Sequence, residues 1–381
     1  MFFGNRACVS RHFGWKFAVK VHFFLRFAKS FRVFNVPLRC RFLLYTSIYI
    51  MWWRSILFYA ILSGVFFTLV VHALWILSWA VSKLTGWHLH YAPFACVNIA
   101  VVLFFWAMFL YGYYVGRYRV EVNRITFSSS SLPPSFDGLR LIHISDLHVD
   151  SYNEHPEALE RIVDMVNAED ADIICFTGDV TTGSFHEIKR FVPVLQRLHA
   201  REGVVSVLGN HDFFIYCREY HNDAERSAAA DALTLLEEKD LGWRVLRNSS
   251  VLLHRGCDSI AVAGVDNITG HQGFATIQKG NLPAAMKGID GIFTILLTHD
   301  PGHWRAEVLP KSHAALTLSG HTHAAQWRIL GWSLSNLFFE ECDGRYDEGL
   351  RSLYVNAGLG CTAPFRISCP SEITVITLSA R

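Results

Sequence analysis

Two long stretches without charged residues constrain this chain more than any other feature of its sequence. Residues 55–81 contain no Asp, Glu, Lys or Arg over 27 positions, and residues 91–115 are equally free of charge. A helix needs roughly 20 apolar residues to cross the hydrocarbon core of a bilayer. Both stretches also carry Trp or Tyr near their ends, where membrane interfaces favour these residues. We therefore expect an all-α membrane anchor with transmembrane helices at about 55–81 and 91–115; two buried core helices are the alternative.

The distribution of Lys and Arg around these stretches predicts their orientation. Ten basic residues precede residue 55, Lys83 lies between the stretches, and Arg117, Arg119 and Arg124 follow them. Because cytoplasmic loops carry the excess of Lys and Arg, the N-terminus and everything after residue 116 are expected on the cytoplasmic side. In a bacterium, this membrane would be the inner one. A shorter apolar segment, residues 42–53, is expected as an interfacial lead-in to the first helix. The alternatives are three membrane spans, with residues 42–53 as the additional one, or a single span. Either alternative would place the residues after 116 on the opposite side of the membrane.

Charge divides the chain into two unlike parts. Residues 1–120 hold 13 Lys or Arg and no acid, which leaves all 33 acids and 22 of the 35 basic residues to the other 261. Residues 1–54 are expected to form a basic amphipathic juxtamembrane segment attracted to anionic phospholipid, with a mitochondrial transit peptide as the alternative. The acidic remainder argues against nucleic-acid binding. The nine Cys form no C-x-x-C pair, which argues against a zinc ribbon and a disulfide framework.

Beyond the second stretch, short apolar runs alternate with amphipathic segments. Residues 117–138 are expected to form a linker and a leading strand, with the Ser- and Pro-rich residues 128–134 as a loop. Residues 139–381 are expected to form one domain. Its order of elements indicates an α/β fold whose sheets pack together between helices. Strands are predicted at residues 139–144, 171–176, 204–208, 260–265, 292–297, 314–318, 352–355 and 373–378.

Five short polar clusters lie at or just after the ends of predicted strands. The first three are about one βα unit apart, since 33 residues separate Asp146 from Asp179 and 31 separate Asp179 from Asn210. Their side chains are therefore expected on successive loops at one edge of a sheet. Each cluster alone is typical of an ordinary turn or helix cap; the ordered set is the signal. The clusters are Asp146-Leu147-His148, Gly178-Asp179, Gly209-Asn210-His211-Asp212, His299-Asp300-Pro301 and Gly320-His321-Thr322-His323.

These residue types suit a pair of divalent metal ions. Imidazole favours zinc and iron, whereas carboxylate and carbonyl oxygens favour manganese and magnesium. A mixed nitrogen and oxygen set without Cys indicates a hydrolytic site and argues against a structural thiolate site. A carboxylate such as Asp179 can bridge two ions, as in the two-metal clamp of phosphoryl transfer.

The motifs resemble those of the calcineurin-like metallophosphoesterases: D-x-H, G-D, G-N-H-D, a later His, and G-H-x-H, all between residues 146 and 323. Residues 356–373 are also similar to the membrane-associated branch that includes YkuE, YaeI and LpxG. The resemblance covers about residues 119–381 and does not include the two apolar stretches. It implies a four-layer α/β/β/α sandwich and phosphoester hydrolysis that depends on two divalent ions. Manganese is the leading candidate, with iron, zinc or magnesium as alternatives.

The resemblance also implies roles for individual residues. One ion would be held by Asp146, His148 and His323, the other by Asn210, His299 and His321, with Asp179 bridging. His211 would donate to the phosphate or the leaving oxygen, and Asp212 would orient His211 or cap the next helix. The chain departs from the family where Ala324 and Ala325 replace two glycines that usually follow the last motif, which puts metal affinity or substrate fit in doubt.

The motifs indicate the substrate class less directly than they indicate the metal site. The LpxG-like resemblance implies a lipid-linked substrate, UDP-2,3-diacylglucosamine, cleaved to lipid X and UMP in lipid A synthesis. Apolar side chains follow two of the motifs, at residues 213–216 and 327–339. They would line an acyl-chain groove or contact the bilayer, or else be hairpin and core residues. The alternatives are a membrane-anchored phosphodiesterase or phosphatase for soluble substrates, and a non-catalytic scaffold that keeps the fold.

Overall fold

The computed structural model of this protein describes residues 38–86, 90–268 and 277–380, with side chains from Leu57 onward. Ser55–Arg381 form one compact unit. The residues before Ser55 form another, of which the structure describes the helical backbone from Leu38. Most of the expected basic amphipathic segment therefore lies outside the described residues.

Two long apolar helices come first. Helix α1 covers Leu38–Thr85 and helix α2 covers Ala92–Tyr114. They pack antiparallel, since Thr68 donates to Asn98 at 3.2 Å and the rings of Phe67 and Phe105 stack at 4.5 Å. Helix α1 also includes residues 42–53, the segment expected as an interfacial lead-in.

Length and composition allow both helices to cross a membrane. The candidate spans are Leu57–Thr85 and Ala92–Tyr118, whose most apolar windows are only 11% and 6% buried. The alternative of two core helices does not fit this exposure, because a core helix buries most of its surface against the protein.

The rest of the described chain contains two six-stranded mixed sheets and one two-stranded sheet. The strands are β1 Val120–Ser129, β2 Arg140–Ile144, β3 Ile173–Phe176, β4 Val204–Ser206, β5 Arg244–Val245, β6 Ser249–Arg255, β7 Asp258–Val265, β8 Thr294–Thr298, β9 Leu316–Ser319, β10 Arg328–Ile329, β11 Trp332–Ser333, β12 Gly344–Glu348, β13 Arg351–Val355 and β14 Ser371–Ala380. The first sheet has the order β1-β14-β2-β3-β4-β5, the second has the order β12-β13-β9-β8-β7-β6, and β10 pairs with β11. The further helices are α3 Pro156–Asn167, α4 Val192–Leu195, α5 Asp223–Lys239, α6 Leu282–Ala285 and α7 Leu309–Lys311.

Side chains along the buried strands point alternately to the two faces of each sheet, and both faces are covered by other layers of the protein. In β3, Ile174 and Phe176 face a core shared with α3 and α5, whereas Ile173 and Cys175 face the second sheet. Successive strand side chains point to opposite faces, so a strand covered on both faces is apolar throughout. In β8, Leu296 faces a third core on the other side of the second sheet. The predicted four-layer α/β/β/α sandwich is confirmed.

The structure differs from the predicted elements at the edges. Strand β1 pairs in parallel with β14 from Val120 opposite Ser371 to Ser129 opposite Ala380. Residues 128 and 129, expected in a loop, therefore belong to a strand, and the turn begins at Ser130. Strands β5, β6 and β10–β12 were not predicted, because edge strands and two-residue strands lack a buried apolar run.

Candidate metal centre

The five polar clusters follow strands of both sheets. Parallel strands β2, β3 and β4 lead into the first three clusters, and parallel strands β8 and β9 lead into the last two. The carboxyl ends of parallel strands share one edge of a sheet, where open α/β sheets bind ligands. Because the two sheets pack face to face, the clusters converge on one site, as the spacing predicted for the first three.

One group of side chains surrounds the end of β2. His323 Nε2 lies 3.2 Å from Asp146 Oδ1 and 3.2 Å from His148 Nε2. All three side chains are buried. Their nearest ligand atoms lie within 4.8 Å of one another, a spacing that could hold a metal ion.

A second group surrounds the end of β8. His299 Nε2 lies 3.1 Å from Asp179 Oδ2 and 3.0 Å from Asn210 Oδ1. His321 Nδ1 lies 2.9 Å from the same Asn210 oxygen. Asp179 Oδ2 also lies 3.7 Å from His148 Nε2 of the first group, so this carboxylate is within reach of both groups. The structure thus brings together all seven side chains that the sequence proposed as ligands.

The chemistry of these donors fits a pair of cations. Asp146 Oδ1 is buried and accepts no hydrogen bond from the described residues. Burial holds the pKa of His148 well below its usual range, so its imidazole is neutral and offers a lone pair. Burial alone would lower the pKa of His299, but the Asp179 and Asp146 carboxylates raise it to about 10. The two buried carboxylates therefore attract positive charge to this site, which divalent ions would supply.

Comparison with known proteins agrees with this geometry. A sequence profile of the family described as calcineurin-like phosphoesterase matches residues 139–325. An uncharacterized metallophosphoesterase of Helicobacter pylori is 30% identical, over 74% of this chain and 68% of its own. The chain belongs to the calcineurin-like metallophosphoesterases. It is a metal-dependent phosphohydrolase with a site for two ions.

Other metallophosphoesterases match the same region. YkuE of Bacillus subtilis is 29% identical, over 71% of this chain and 90% of its own length. A Danio rerio protein named as a transmembrane protein with a metallophosphoesterase domain is 31% identical, over 71% of this chain and 60% of its own. The membrane-associated branch inferred from residues 356–373 is therefore confirmed.

The backbone of this metallophosphoesterase is strained at five of the proposed ligands. Asp146, His148, Asp179, His321 and His323 all have positive φ, between 40° and 73°. Such left-handed conformations cost L-residues free energy and cluster at functional sites. The Asp179 side chain is packed closely against the next motif. A Cβ atom added to Gly209 would lie 2.2 Å from Asp179 Oδ1. The glycine of the G-N-H-D motif is required because the Asp179 carboxylate occupies that space.

Oxygen atoms outside the proposed ligand set lie beside two of the imidazoles proposed as ligands. His299 Nδ1 donates to the Thr177 carbonyl at 2.7 Å, which leaves Nε2 facing Asp179. His321 Nε2 lies 4.0 Å from the Asp300 carboxylate, while its Nδ1 faces Asn210. The hydrogen bond to Thr177 fixes the tautomer of His299. The Asp300 carboxylate is too far from His321 for a hydrogen bond, and it adds negative charge beside that imidazole. The sequence did not identify these roles, although Asp300 directly follows His299 and could have been noticed there.

His211 lies at the rim of the site. It is half-buried, and one of its ring nitrogens lies within 4.8 Å of ligand atoms of His148 and Asp179. Nδ1 donates to the Thr182 carbonyl at 2.5 Å, so Nε2 is the nitrogen available to a substrate. This arrangement is compatible with the proposed role of His211 as a donor to the phosphate or leaving oxygen.

Asp212 has a different role from the one expected. Its carboxylate accepts hydrogen bonds from backbone N–H groups of Asp179, Val180, Thr181 and Gly209, and from the Thr181 hydroxyl. The expectation that Asp212 orients His211 directly is wrong, because the Thr182 carbonyl does so. Asp212 joins the loop of Asp179 to the loop of Asn210. Burial, reinforced by Asp179, raises the pKa of Asp212 to about 6.

The two alanines in place of the usual glycines occupy glycine-type backbone. Ala324 has φ 48° and ψ 36°, and Ala325 has φ 50° and ψ 16°. The turn after His323 therefore keeps a left-handed conformation in this chain, at a cost of roughly 1–2 kcal/mol for each L-residue. The hydrogen bond from the Ala325 N–H to the Thr322 carbonyl, at 2.8 Å, helps to maintain it.

We predict that Ala325→Gly stabilises the protein by about 0.5–1 kcal/mol, because relief of the left-handed strain exceeds the added chain entropy of glycine. Ala324→Gly should be close to neutral, because it also removes a fully buried methyl group. Thermal unfolding of the purified protein measures both changes. Ala228→Gly, at an exposed position inside α5, is the matched control and should destabilise by about 1 kcal/mol. A loss of stability in Ala325→Gly would contradict the strain argument.

The apolar residues beside the motifs divide into two kinds. Phe213 and Phe214 are buried in the core under α3 and α5, so they are core residues. Residues 327–339 instead form a hairpin with several exposed apolar side chains, among them Leu330 and Phe338. The two apolar segments therefore differ, because Phe213 and Phe214 are core residues whereas residues 327–339 expose apolar side chains.

Proposed function

We propose that this metallophosphoesterase hydrolyses a lipid-linked phosphodiester or pyrophosphate at the cytoplasmic face of a membrane. The observation that supports the proposal is a single segment, residues 358–367, that contacts both the metal centre and the apolar helices. The Gly360 N–H donates to the Asp146 carbonyl at 2.7 Å. Five residues later, the Phe365 ring lies 5.4 Å from Tyr59 of α1 and 5.1 Å from Phe109 of α2.

The packing between this segment and the helices is close. A Cβ on Gly112 of α2 would lie 2.9 Å from Ile367 Cγ1 and 3.1 Å from Phe365 Cβ. The Arg366 N–H donates to the Gly112 carbonyl at 3.3 Å, and the buried Arg366 guanidinium donates to the carbonyls of Ala357, Gly358 and Gly360. If α1 and α2 cross a bilayer, the metal centre lies beside the headgroup layer, where the phosphate of a membrane lipid is found.

The residues present support hydrolysis by water. When bound, two divalent ions supply Lewis acidity and a water nucleophile that is active at neutral pH. His211 Nε2 is available to donate to the phosphate or to the leaving oxygen. Thr182 keeps that imidazole oriented through its carbonyl, and Asp212 keeps the loops of Asp179 and Asn210 together.

The leading substrate candidate is UDP-2,3-diacylglucosamine, with lipid X and UMP as products and manganese as the metal. The LpxG-like resemblance of residues 356–373 supports this choice, as does the cytoplasmic orientation that the Lys and Arg distribution predicts. The Danio rerio relative, named as a transmembrane protein, is consistent with membrane association.

The test is UMP release by the full-length protein in detergent or vesicles. We expect UMP only with manganese or a related divalent ion, none after chelation, and recovery when the metal returns. Bis(p-nitrophenyl) phosphate serves as a soluble comparison on the same preparation. Turnover of this diester without UMP release would contradict the lipid-linked substrate and would favour soluble phosphodiesters as substrates. Absence of turnover on both, with less than one metal ion per chain, would indicate a scaffold.

A further inference from the structure

An apolar hairpin projects from the turn that carries the last metal ligand. It comprises residues 327–339, with β10 and β11 paired across the turn at Leu330 and Gly331. No charged residue occurs between Ile329 and Phe339. Soluble surfaces seldom expose a contiguous apolar patch of this kind without a partner. The apolar side chains that are exposed are Ile329 at 50%, Leu330 at 103%, Trp332 at 45%, Leu337 at 65% and Phe338 at 57%.

The base of the hairpin is attached to the metal centre. The Ser333 hydroxyl donates to the Ala324 carbonyl at 2.5 Å, next to His323. At the other end of the hairpin, the Phe339 ring lies 5.8 Å from the ring of His321. Both histidines are proposed ligands, so the hairpin begins and ends at the rim of the site.

The same base contacts the apolar helix pair. The Arg328 N–H donates to the Ile367 carbonyl at 3.0 Å, in the segment that packs on α2. The Trp327 ring lies 5.7 Å from Phe109 of α2. Phe109 is five residues before the end of α2 at Tyr114, which at 1.5 Å per residue is about 7.5 Å into the helix. The base of the hairpin therefore lies at the level of the apolar part of α2.

Charges close to the hairpin are paired within the protein. Arg328 pairs with Asp343 at 2.5 Å. Glu340, which follows Phe339, lies 3.2 Å from Arg305, and Glu341 also pairs with Arg305. The base of the hairpin thus packs directly against α2, and the charged residues that flank its exposed apolar side chains form ion pairs with neighbouring residues.

We infer that the apolar hairpin inserts into the lipid bilayer beside α2. Its partner is the acyl region of the membrane, because the base of the hairpin contacts the apolar part of α2 and the exposed side chains of the hairpin are uncharged and mostly apolar. On the proposed function, on which this last step rests, the hairpin also places the metal centre at headgroup level, so that a lipid substrate enters sideways from the bilayer. Its acyl chains then remain along the hairpin while the phosphate reaches His211 and the ligands.

A fluorophore at the tip of the hairpin tests insertion without any substrate. The variant is Leu330→Cys in a Cys96→Ser/Cys257→Ser background, which removes two exposed cysteines, labelled with an environment-sensitive dye. The full-length protein is reconstituted in vesicles of phosphatidylcholine and phosphatidylglycerol. The signal of the Cys96→Ser/Cys257→Ser protein, treated with the same dye, is subtracted first. We then expect blue-shifted emission that is quenched by doxyl-labelled acyl chains and is not quenched by aqueous iodide.

Leu350→Cys is the matched control. Leu350 is 77% exposed and precedes β13, at the opposite end of that strand from the metal-centre edge. Its dye should be quenched by iodide and not by the doxyl lipids. If the dye at position 330 behaves like the dye at position 350, the inference is wrong. A blue shift that requires high protein density, without doxyl quenching, would also overturn it, because it would identify a second copy of the chain as the partner.

A second measurement connects insertion to turnover. Leu330→Ser/Leu337→Ser/Phe338→Ser should lower the ratio of lipid-substrate to soluble-diester kcat/KM by about tenfold or more, because apolar contacts with the bilayer are lost. Leu350→Ser should leave this ratio unchanged. An unchanged ratio in the triple variant, with doxyl quenching present, would refute sideways entry but not insertion. Failure of UDP-2,3-diacylglucosamine as a substrate would leave the fluorescence result to decide insertion alone.

Discussion

Asp179→Asn should reduce turnover by at least about 10³-fold, equivalent to about 4 kcal/mol of transition-state stabilisation. Asp179 Oδ2 is the carboxylate oxygen within reach of both ligand groups, 3.1 Å from His299 Nε2 and 3.7 Å from His148 Nε2. The amide of asparagine removes the negative charge that would hold two cations close together. It keeps Oδ1, which accepts the N–H of His211 at 2.8 Å, so the loop should remain in place.

Three measurements are needed on the Asp179→Asn protein: hydrolysis of a soluble diester, metal content by elemental analysis, and thermal unfolding. We expect the metal content to fall below two ions per chain while the protein stays folded. Asp170→Asn is the control, because Asp170 also has positive φ but is an exposed residue paired with Arg201. It should behave like the unsubstituted protein. Full turnover in Asp179→Asn would refute the bridging role.

His211→Gln should lower kcat by about 10²-fold or more on a diester with an alkoxide leaving group, and by less on a p-nitrophenyl ester. The alkoxide needs a proton as it leaves, and a positioned acid typically contributes 10²–10⁴-fold to such a step. The nitrophenolate leaves without one. Glutamine can still reach the Thr182 carbonyl through its amide, but it cannot donate a proton.

The measurement compares kcat for the two leaving groups in the same metal-loaded protein. Metal content should be unchanged, because His211 lies at the rim and is not among the seven proposed ligands. A loss of metal would instead identify His211 as a ligand. Equal losses on the two substrates would limit its role to electrostatic stabilisation of the phosphate.

Much of the site was predictable because each motif is local. A buried strand followed by a polar cluster is visible in a few consecutive residues, and five such clusters in the right order indicate the seven proposed donors. His299 illustrates the limit. Its place as a ligand follows from the cluster after β8, whereas its orientation depends on the Thr177 carbonyl, 122 residues earlier in the chain.

The assignment of Asp212 shows why proximity in sequence misleads. Asp212 directly follows His211, and an orienting contact was the natural expectation. In the folded protein its carboxylate accepts the backbone N–H groups of Asp179 and Thr181, in the loop after β3, and of Gly209, in the loop after β4. Buried N–H groups need acceptors, and that requirement could not be seen before the loops met.

The two apolar helical segments, the layered α/β fold and the seven proposed metal donors could be predicted from the sequence, because each depends on a run of neighbouring residues. How the proposed donors are paired depends on the tertiary structure. His148 and His323 are 175 residues apart, yet their Nε2 atoms lie 3.2 Å from each other. The tertiary structure also buries Phe213 and leaves Leu330 exposed at the tip of the hairpin. Burial is a property of what packs against a residue, and distant parts of the chain supply that packing.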